Sequence, residues 1–127
     1  MLGLLKIALF LATPLVTDPQ WESILLVESQ AGKTSTNIAQ IRPVVVEDLN
    51  RILGEDKFSY SDRVCVEKSR QMFDLYTNYY AGADATFEEK ARVWNGGPKG
   101  HQKSATKRYW KKVDATHKEL LKEYKID

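Results

Sequence analysis

The chain has few of the residues that usually hold metals, form disulfides or act as nucleophiles. Its 127 residues include one cysteine and two histidines. Cys65 cannot form a disulfide within the chain, and its place between two valines favours a small packing residue over a catalytic thiol. His101 and His117 belong to no spacing typical of a metal site. We therefore expect no metal and no cofactor.

Long apolar runs are equally scarce. Residues 1–16 are almost wholly apolar, with Lys6 as their one charge, but they are shorter than the ~20 residues of a membrane span. They match the apolar part of a secretory signal better, although no clean cleavage site follows. An uncleaved anchor and a buried first helix are the alternatives. We assign residues 1–17 to a signal or anchor segment and residues 18–127 to one folded domain.

The chain also has almost no excess of charge of one sign, because its formal net charge is only +2. The cations are nevertheless concentrated near the carboxyl end of the chain. A basic surface attracts polyanions such as nucleic acid, acidic lipid or a bacterial cell wall. A solvated helix face is the alternative. The cations in question are Lys103, Lys107, Arg108, Lys111, Lys112, Lys118 and Lys122.

Helical signals dominate residues 18–127, so the expected fold class is mostly α. Asp18, followed by proline, is predicted to cap a first helix whose last turn contains Glu28. Thr86 and Glu89 form the pattern of a capping box. A short segment, residues 38–41, is predicted to be a strand or an extended turn. Further helices are predicted over residues 44–53, 66–80, 87–95 and 104–124.

Glu28 combines two features that raise the pKa of a carboxyl group. It follows Leu25, Leu26 and Val27, and it is predicted near the partially negative C-terminus of a helix. A Glu that is still protonated near neutral pH can donate a proton to the leaving oxygen of a glycosidic bond. A surface Glu at a helix end is the alternative, and these facts alone favour it.

The motif Trp94-Asn95-Gly96-Gly97 is the second feature that could belong to a binding or catalytic site. Glycines after an Asn allow positive φ and the close approach of a ligand. An Asn amide can donate to and accept from sugar hydroxyl and acetamido groups. Trp94 and tyrosines such as Tyr80 can stack on sugar rings. A plain helix end followed by a loop, and tyrosines that pack in the core, are the alternatives.

Four short pieces occur in a definite order along the chain. They are Glu28-Ser29, Gln40-Ile41, Tyr79-Tyr80 and residues 91–98. Together they resemble the lysozyme-like lytic transglycosylase and goose-type lysozyme superfamily, in which a Glu-Ser pair ends a helix and Gln-Ile, an aromatic helix and Asn-Gly follow. The longer stretches 40–53 and 91–101 resemble small bacterial and phage proteins of this kind. The resemblance covers about residues 21–113.

The resemblance implies a peptidoglycan-cleaving glycosidase that acts on the β-1,4 bond between MurNAc and GlcNAc. It implies a monomeric α+β lysozyme-like fold with a small extended or β segment beside the cleft. Glu28 matches the general acid and base, and Ser29 matches the residue that orients it or the substrate. The remaining substrate-binding positions match Gln40, Ile41, Tyr80, Trp94, Asn95 and Gly96.

The same resemblance implies peptidoglycan strands as the partner and no nucleic acid. Membrane contact is expected only through residues 1–17. The protein is expected to be exported to the periplasm or exterior, or to be virion-associated or released at lysis if a phage encodes it. A lone Glu with no second acid in a motif favours a transglycosylase over a hydrolase.

The segment after Glu28 departs from the family pattern at two positions. Gln30 replaces the Gly of a Glu-Ser-Gly triplet, and Asn37 stands where a Gly is expected, although Asn tolerates left-handed backbone. The altered segment keeps open a catalytically impaired wall-binding or structural module of a phage or secretion machine. A basic nucleic-acid binder built on residues 103–125 is a further alternative.

Overall fold

The computed structural model of the protein describes residues 15–29, 37–82 and 84–125. Most of them are helical, so the mostly α class is confirmed. No β-strand occurs within these three ranges. Three short 3-10 turns connect the helices: Tyr60–Val64, Gly100–Gln102 and Ser104–Thr106. The five helices are α1 (Asp18–Glu28), α2 (Pro43–Leu53), α3 (Val66–Ala81), α4 (Phe87–Gly96) and α5 (Lys107–Tyr124).

The cap of α1 is Thr17 and not Asp18, so that part of the prediction was wrong. The Thr17 hydroxyl accepts a hydrogen bond from the Gln20 N–H at 3.3 Å, and the Gln20 side chain accepts one from the Thr17 N–H at 2.8 Å. This reciprocal pair satisfies two backbone donors at once. Asp18 becomes the first helical residue. The helix ends at Glu28, which confirms the prediction that Glu28 lies in its last turn.

The other helix ends follow local signals. Gly54 ends α2 in a left-handed conformation with φ of 74°. The capping box at the start of α4 is confirmed, because the Thr86 hydroxyl accepts from the Glu89 N–H and the Glu89 carboxylate accepts from the Thr86 N–H. α5 begins at Lys107, three residues later than predicted, because Ser104–Thr106 forms a 3-10 turn.

The core is centred on Phe73 of α3, which is fully buried. Its ring lies 5.4 Å from the ring of Trp21 in α1 and 5.2 Å from that of Trp94 in α4. Tilted and edge-on aromatic contacts of this kind add ~0.5–1.5 kcal/mol beyond the area that they bury. The three helices are thereby fixed around one cluster.

Val16, the residue before the cap of α1, is buried in this core with 4% of its surface exposed. Arg70 of α3 donates to its carbonyl oxygen at 2.7 Å, and Asp74 accepts from its N–H. Arg70 also pairs with Asp18 at 2.7 Å. The core therefore reaches back to Val16, two residues before the predicted start of the domain.

The N-terminal signal or anchor prediction concerns mainly residues 1–14, which lie outside the described residues. In the part of the chain that the structure describes, no helix is both long enough and apolar enough to span a bilayer.

Candidate active site

Glu28, the last residue of α1, lies against α5. The Tyr109 hydroxyl donates a hydrogen bond to Glu28 Oε2 at 2.8 Å. Burial raises the pKa of Glu28 from 4.5 to about 7, although the Tyr109 hydrogen bond and the positive charge of Arg42 both lower it. At neutral pH a large fraction of this carboxyl group therefore carries a proton.

Tyr109 is itself a neutral donor. Burial and the neighbouring Glu28 raise the pKa of Tyr109 well above 10, so its hydroxyl stays protonated. It lies in the first turn of α5, and α1 packs along α5. Glu28 is therefore held by a neutral group rather than by a cation, which would have kept it ionised.

The turn formed by residues 37–41 supplies the second side of the site. The Asn37 side chain bridges it, donating to the Ile41 carbonyl and accepting from the Ile41 N–H, both at 2.8 Å. The indole of Trp94 donates to the Ala39 carbonyl at 3.2 Å. The segment is a turn and not a strand. The Trp94 hydrogen bond holds this turn against α4.

Gln40 has the unusual backbone of this turn. Its φ is 55°, and among the described non-glycine residues it alone has a positive φ. Asn37, which stands where the family has a Gly, contributes to this turn through its side chain. A left-handed conformation costs ~1–2 kcal/mol for a residue with a Cβ. The result is an exposed Gln40 side chain that faces Glu28 across a cavity.

Two adjoining cavities share Glu28, Gln40 and Asn95 in their walls. The smaller one, of about 250 Å³, adds Arg42 and Trp94. The larger one, of about 480 Å³, has a size typical of ligand sites. It adds Val27, Ala105, Arg108, Tyr109 and Lys112. The Glu28 carboxyl therefore stands where two parts of one cleft meet.

A wider depression of about 560 Å³ lies at the C-terminal end of α2, away from Glu28. None of its lining residues is buried, and most are exposed. We place no chemistry there, because its carboxylates are solvated and no shielded acid faces it. Its lining residues are Glu47, Asn50, Arg51, Gly54, Glu55 and Asp56.

Three of the predicted site residues support the cleft without lining either cavity. Ser29 is 2% exposed, and its N–H closes the end of α1 on the Leu25 carbonyl. Ile41 is 1% exposed and packs in the core. A Cβ on Gly96 would lie 2.5 Å from Thr106 Cγ2, so this glycine permits a close approach of the chain and not of a ligand.

Tyr80 also lies away from both cavities. Its hydroxyl donates to Asp48 of α2, and Arg51 donates to the hydroxyl at 3.4 Å. Its ring packs on Tyr76, which packs edge-on against Trp94. Tyr80 therefore supports Trp94 in the wall of the smaller cavity through one intervening ring, that of Tyr76. Of the predicted residues, Glu28, Gln40, Trp94 and Asn95 are the ones brought together at the cavities.

Sequence reasoning missed the residues that α5 and the turn before it contribute. Ala105 lies in the 3-10 turn, and Arg108, Tyr109 and Lys112 recur at helical spacing, which indicates one face of α5. The spacing does not say that this face meets Glu28, more than seventy positions earlier in the chain. Arg42, which reaches the smaller cavity, carried no signal either.

Arg92 joins α4 to the chain that leads into α5. It is 9% exposed and donates to the Thr106 hydroxyl and the Lys103 carbonyl, both at 2.8 Å, and to Glu88 at 3.0 Å. Gly100 lies directly against the Arg92 backbone, and a Cβ there would come within 2.0 Å of the Arg92 carbonyl oxygen. This buried junction fixes the start of α5 and with it Tyr109.

Within the described ranges, no three His, Cys, Asp or Glu side chains come close enough together to hold a metal ion. His117 packs against Phe87 with ring centroids 5.4 Å apart. Cys65 is partly buried at the start of α3.

Comparisons of the chain with protein-family profiles, with curated proteins and with solved structures found no match. We therefore base any proposal about the family or the activity of the protein on its residues and on the geometry of the candidate site.

Proposed function

We propose that the protein is a peptidoglycan-cleaving glycosidase with a lysozyme-like fold, in which Glu28 is the general acid and then the base. One observation carries this proposal. A shielded carboxyl with a pKa of about 7 stands at the junction of two cavities and is held by a neutral tyrosine. A perturbed acid in a cleft is a common property of catalytic sites.

The chemistry starts with a proton on Glu28. Because Oε2 accepts from Tyr109, Oε1 is the oxygen available to carry the proton. It passes to the oxygen of the scissile glycosidic bond, the bond breaks, and positive charge develops on the sugar carbon. The carboxylate left behind then removes a proton from an attacking hydroxyl group and returns to its starting state.

The nature of that hydroxyl separates a transglycosylase from a hydrolase. An inverting hydrolase needs a second carboxylate ~6.5–9.5 Å from the first, to activate water. Among the described residues, Glu28 is the only carboxylate that lines the two cavities. This supports attack by the sugar's own 6-hydroxyl, which gives a 1,6-anhydro product.

The polar groups around Glu28 suit an N-acetylated sugar. Gln40 and Asn95 line both cavities together with Glu28. The Gln40 amide donates one N–H to the Asn37 carbonyl at 2.8 Å, which leaves its oxygen and its second N–H for a ligand, and the Asn95 amide can likewise donate and accept. Trp94 adds an aromatic wall to the smaller cavity. Since peptidoglycan lies outside the cytoplasm, an export signal or anchor among the residues before Val16 belongs to the same proposal; Val16 and Thr17 themselves are part of the folded domain.

The test is to incubate the purified protein with peptidoglycan and to analyse the released fragments by mass spectrometry. We expect anhydro-muropeptides from the wild type and at least ~10³-fold less product from Glu28→Gln, because the variant has no proton to donate. Glu47→Gln is the matched control, since Glu47 is exposed on α2 and lies outside both cavities.

Each other outcome has a definite meaning. Fragments with reducing ends would show hydrolysis by the same acid. Full activity in Glu28→Gln would remove Glu28 from the mechanism. Binding to the wall without any fragments would identify a wall-binding module in place of an enzyme.

A further inference from the structure

The face of α5 that lines the larger cavity carries two cations. Arg108 and Lys112 are one helical turn apart and both lie in the wall that also contains Glu28 and Tyr109. Side chains at this spacing are neighbours on a helix surface, with Cβ atoms ~5–6 Å apart. Two cations at that separation can hold one carboxylate between them or two adjacent carboxylates.

Neither cation has an acidic partner among the described residues. The ion pairs within α5 are Lys118 with Asp114 and Lys122 with Glu119, both nearer the C-terminal end of the helix. Arg108 and Lys112 are exposed, and no described salt bridge includes them. Their charge is therefore available to a ligand.

The placement of Arg108 in the first turn works against the stability of α5. The first turn of the helix contains no acidic residue, and its cap makes no side-chain hydrogen bond. By contrast, α4 has Glu88 and Glu89 in its first turn. The N-terminus of a helix already carries partial positive charge, so cations there are unfavourable. Arg108 and Lys112 strengthen the positive potential of the larger cavity. Their charge therefore suits the binding of a ligand better than the folding of the helix.

The two cavities of the cleft differ in the side chains that line them, and therefore in the chemical groups that they could bind. The smaller cavity has Trp94, Asn95 and Arg42 in its wall, while the larger one adds Arg108 and Lys112. A polymer of neutral N-acetylated sugars has no group that would pair with the α5 side. Peptidoglycan strands have such groups, because their stem peptides carry carboxylates and a lactyl group without a stem peptide carries one as well.

We propose that Arg108 and Lys112 form a carboxylate-binding subsite that makes the cleft select peptidoglycan strands bearing free carboxylates over neutral glycans. This inference deepens the proposed glycosidase function and rests on it for its substrate. Charge-assisted contacts from Arg and Lys to a carboxylate are the stronger kind of hydrogen bond, and losing them weakens substrate binding.

The experiment uses two forms of one substrate. Purified strands are compared with the same strands after their carboxylates have been converted to neutral amides. We expect the wild type to prefer the unmodified strands by at least about tenfold in kcat/KM at low salt. In Arg108→Gln/Lys112→Gln that preference falls to about one, mainly through a higher KM.

Lys107→Gln/Lys111→Gln is the matched control, because it removes the same charge from exposed positions of α5 that line neither cavity. The preference should survive in this control. Arg108→Gln/Lys112→Gln should melt no lower than the wild type, since Arg108 opposes the helix dipole from the first turn and no described salt bridge includes Lys112. A preference that persists in Arg108→Gln/Lys112→Gln, or an equal loss in the control, would overturn the subsite.

Binding of Glu28→Gln to insoluble cell wall, with and without amidation, gives an answer that does not depend on cleavage. Wall binding that needs Arg108, Lys112 and free carboxylates, with no cleavage by the wild type, would retain the subsite and reject the glycosidase. Displacement by DNA as efficiently as by free strands would reveal a general polyanion surface, and would reject the subsite.

Discussion

Two shielded carboxyl groups in this molecule have raised pKa values for the same main reason. Burial raises the pKa of Glu28 to about 7 and that of Asp74 in α3 to about 6. Their surroundings differ. Asp74 is 3% exposed and lies near Arg70, Lys90 and the N–H of Val16, while Glu28 faces a cleft and accepts from Tyr109.

The comparison separates burial from function. A raised pKa marks desolvation, which a structural carboxyl can share with a catalytic one. The proposed acid is distinguished by a neutral hydrogen-bond donor and by access for a ligand, whereas Asp74 is almost fully buried and holds the start of the domain. Four experiments can break or sharpen this distinction.

The largest effect concerns stability at Asp74. We expect Asp74→Ala to lower the free energy of unfolding by about 3 kcal/mol, because it removes the Val16 contact and the charge opposite Arg70 and the buried Lys90. Urea unfolding measures this. Asp84→Ala, at an exposed position, should change stability by less than ~0.5 kcal/mol. Equal effects of the two variants would show that Asp74 has no structural role.

The second effect concerns the pH dependence of activity. Because the proposed mechanism uses Glu28 in its protonated form and the pKa of Glu28 is about 7, we expect kcat/KM to fall about tenfold for each pH unit above that value. A pH–rate profile measures it. Asp74→Asn, if it folds, should leave the midpoint in place. A midpoint that moved with Asp74 instead of Glu28 would reverse the assignment of roles.

The third effect concerns the cost of ionising Glu28. Its pKa is higher in the folded chain than the usual 4.5, so the folded state binds more protons between pH 4.5 and about 7, and stability falls as pH rises through that window. Glu28→Gln removes this cost. We expect it to stabilise the protein by about 1–3 kcal/mol above that window and hardly at all below it. Thermal melts across pH would detect a constant difference if the cost were absent.

The smallest effect concerns the Tyr109 hydrogen bond, which lowers the pKa of Glu28. Tyr109→Phe should therefore move the alkaline midpoint of activity upward, with a few-fold change in rate. Tyr124→Phe is the control, because Tyr124 also donates from α5 to a Glu of α1, Glu22 at 3.0 Å, but that pair is solvent-exposed. A shift in both variants would point to a general change in the packing of α5.

Local sequence signals predicted the helices well. The capping box at Thr86 and the glycine at position 54 each act within a few residues of the helix end that they specify. The cap of α1 was misplaced because Asp18 and Thr17 are both good caps, and the side chain of Gln20 decided between them. The turn at residues 37–41 depends on Trp94, far along the chain.

The candidate site could be predicted only in part, because local motifs do not specify contacts between distant segments of the chain. Glu28, Gln40 and Asn95 were found through the order of their motifs. Ser29, Ile41, Gly96 and Tyr80 belong to the same motifs but line neither cavity, and a motif does not distinguish a packing residue from one that contacts a ligand. Tyr109 and the α5 cations depend on how α1 lies along α5, which no single segment specifies.

The hydrogen bonds to the Val16 carbonyl and N–H have a consequence for digestion of the chain by proteases. Its carbonyl is bound by Arg70, its N–H by Asp74, and its side chain by the core. A peptide bond held in this way is a poor protease substrate, because cleavage requires the local backbone to open first. Digestion from the amino end should therefore slow at Val16. A cut just beyond it would remove a core side chain and both backbone contacts in one event.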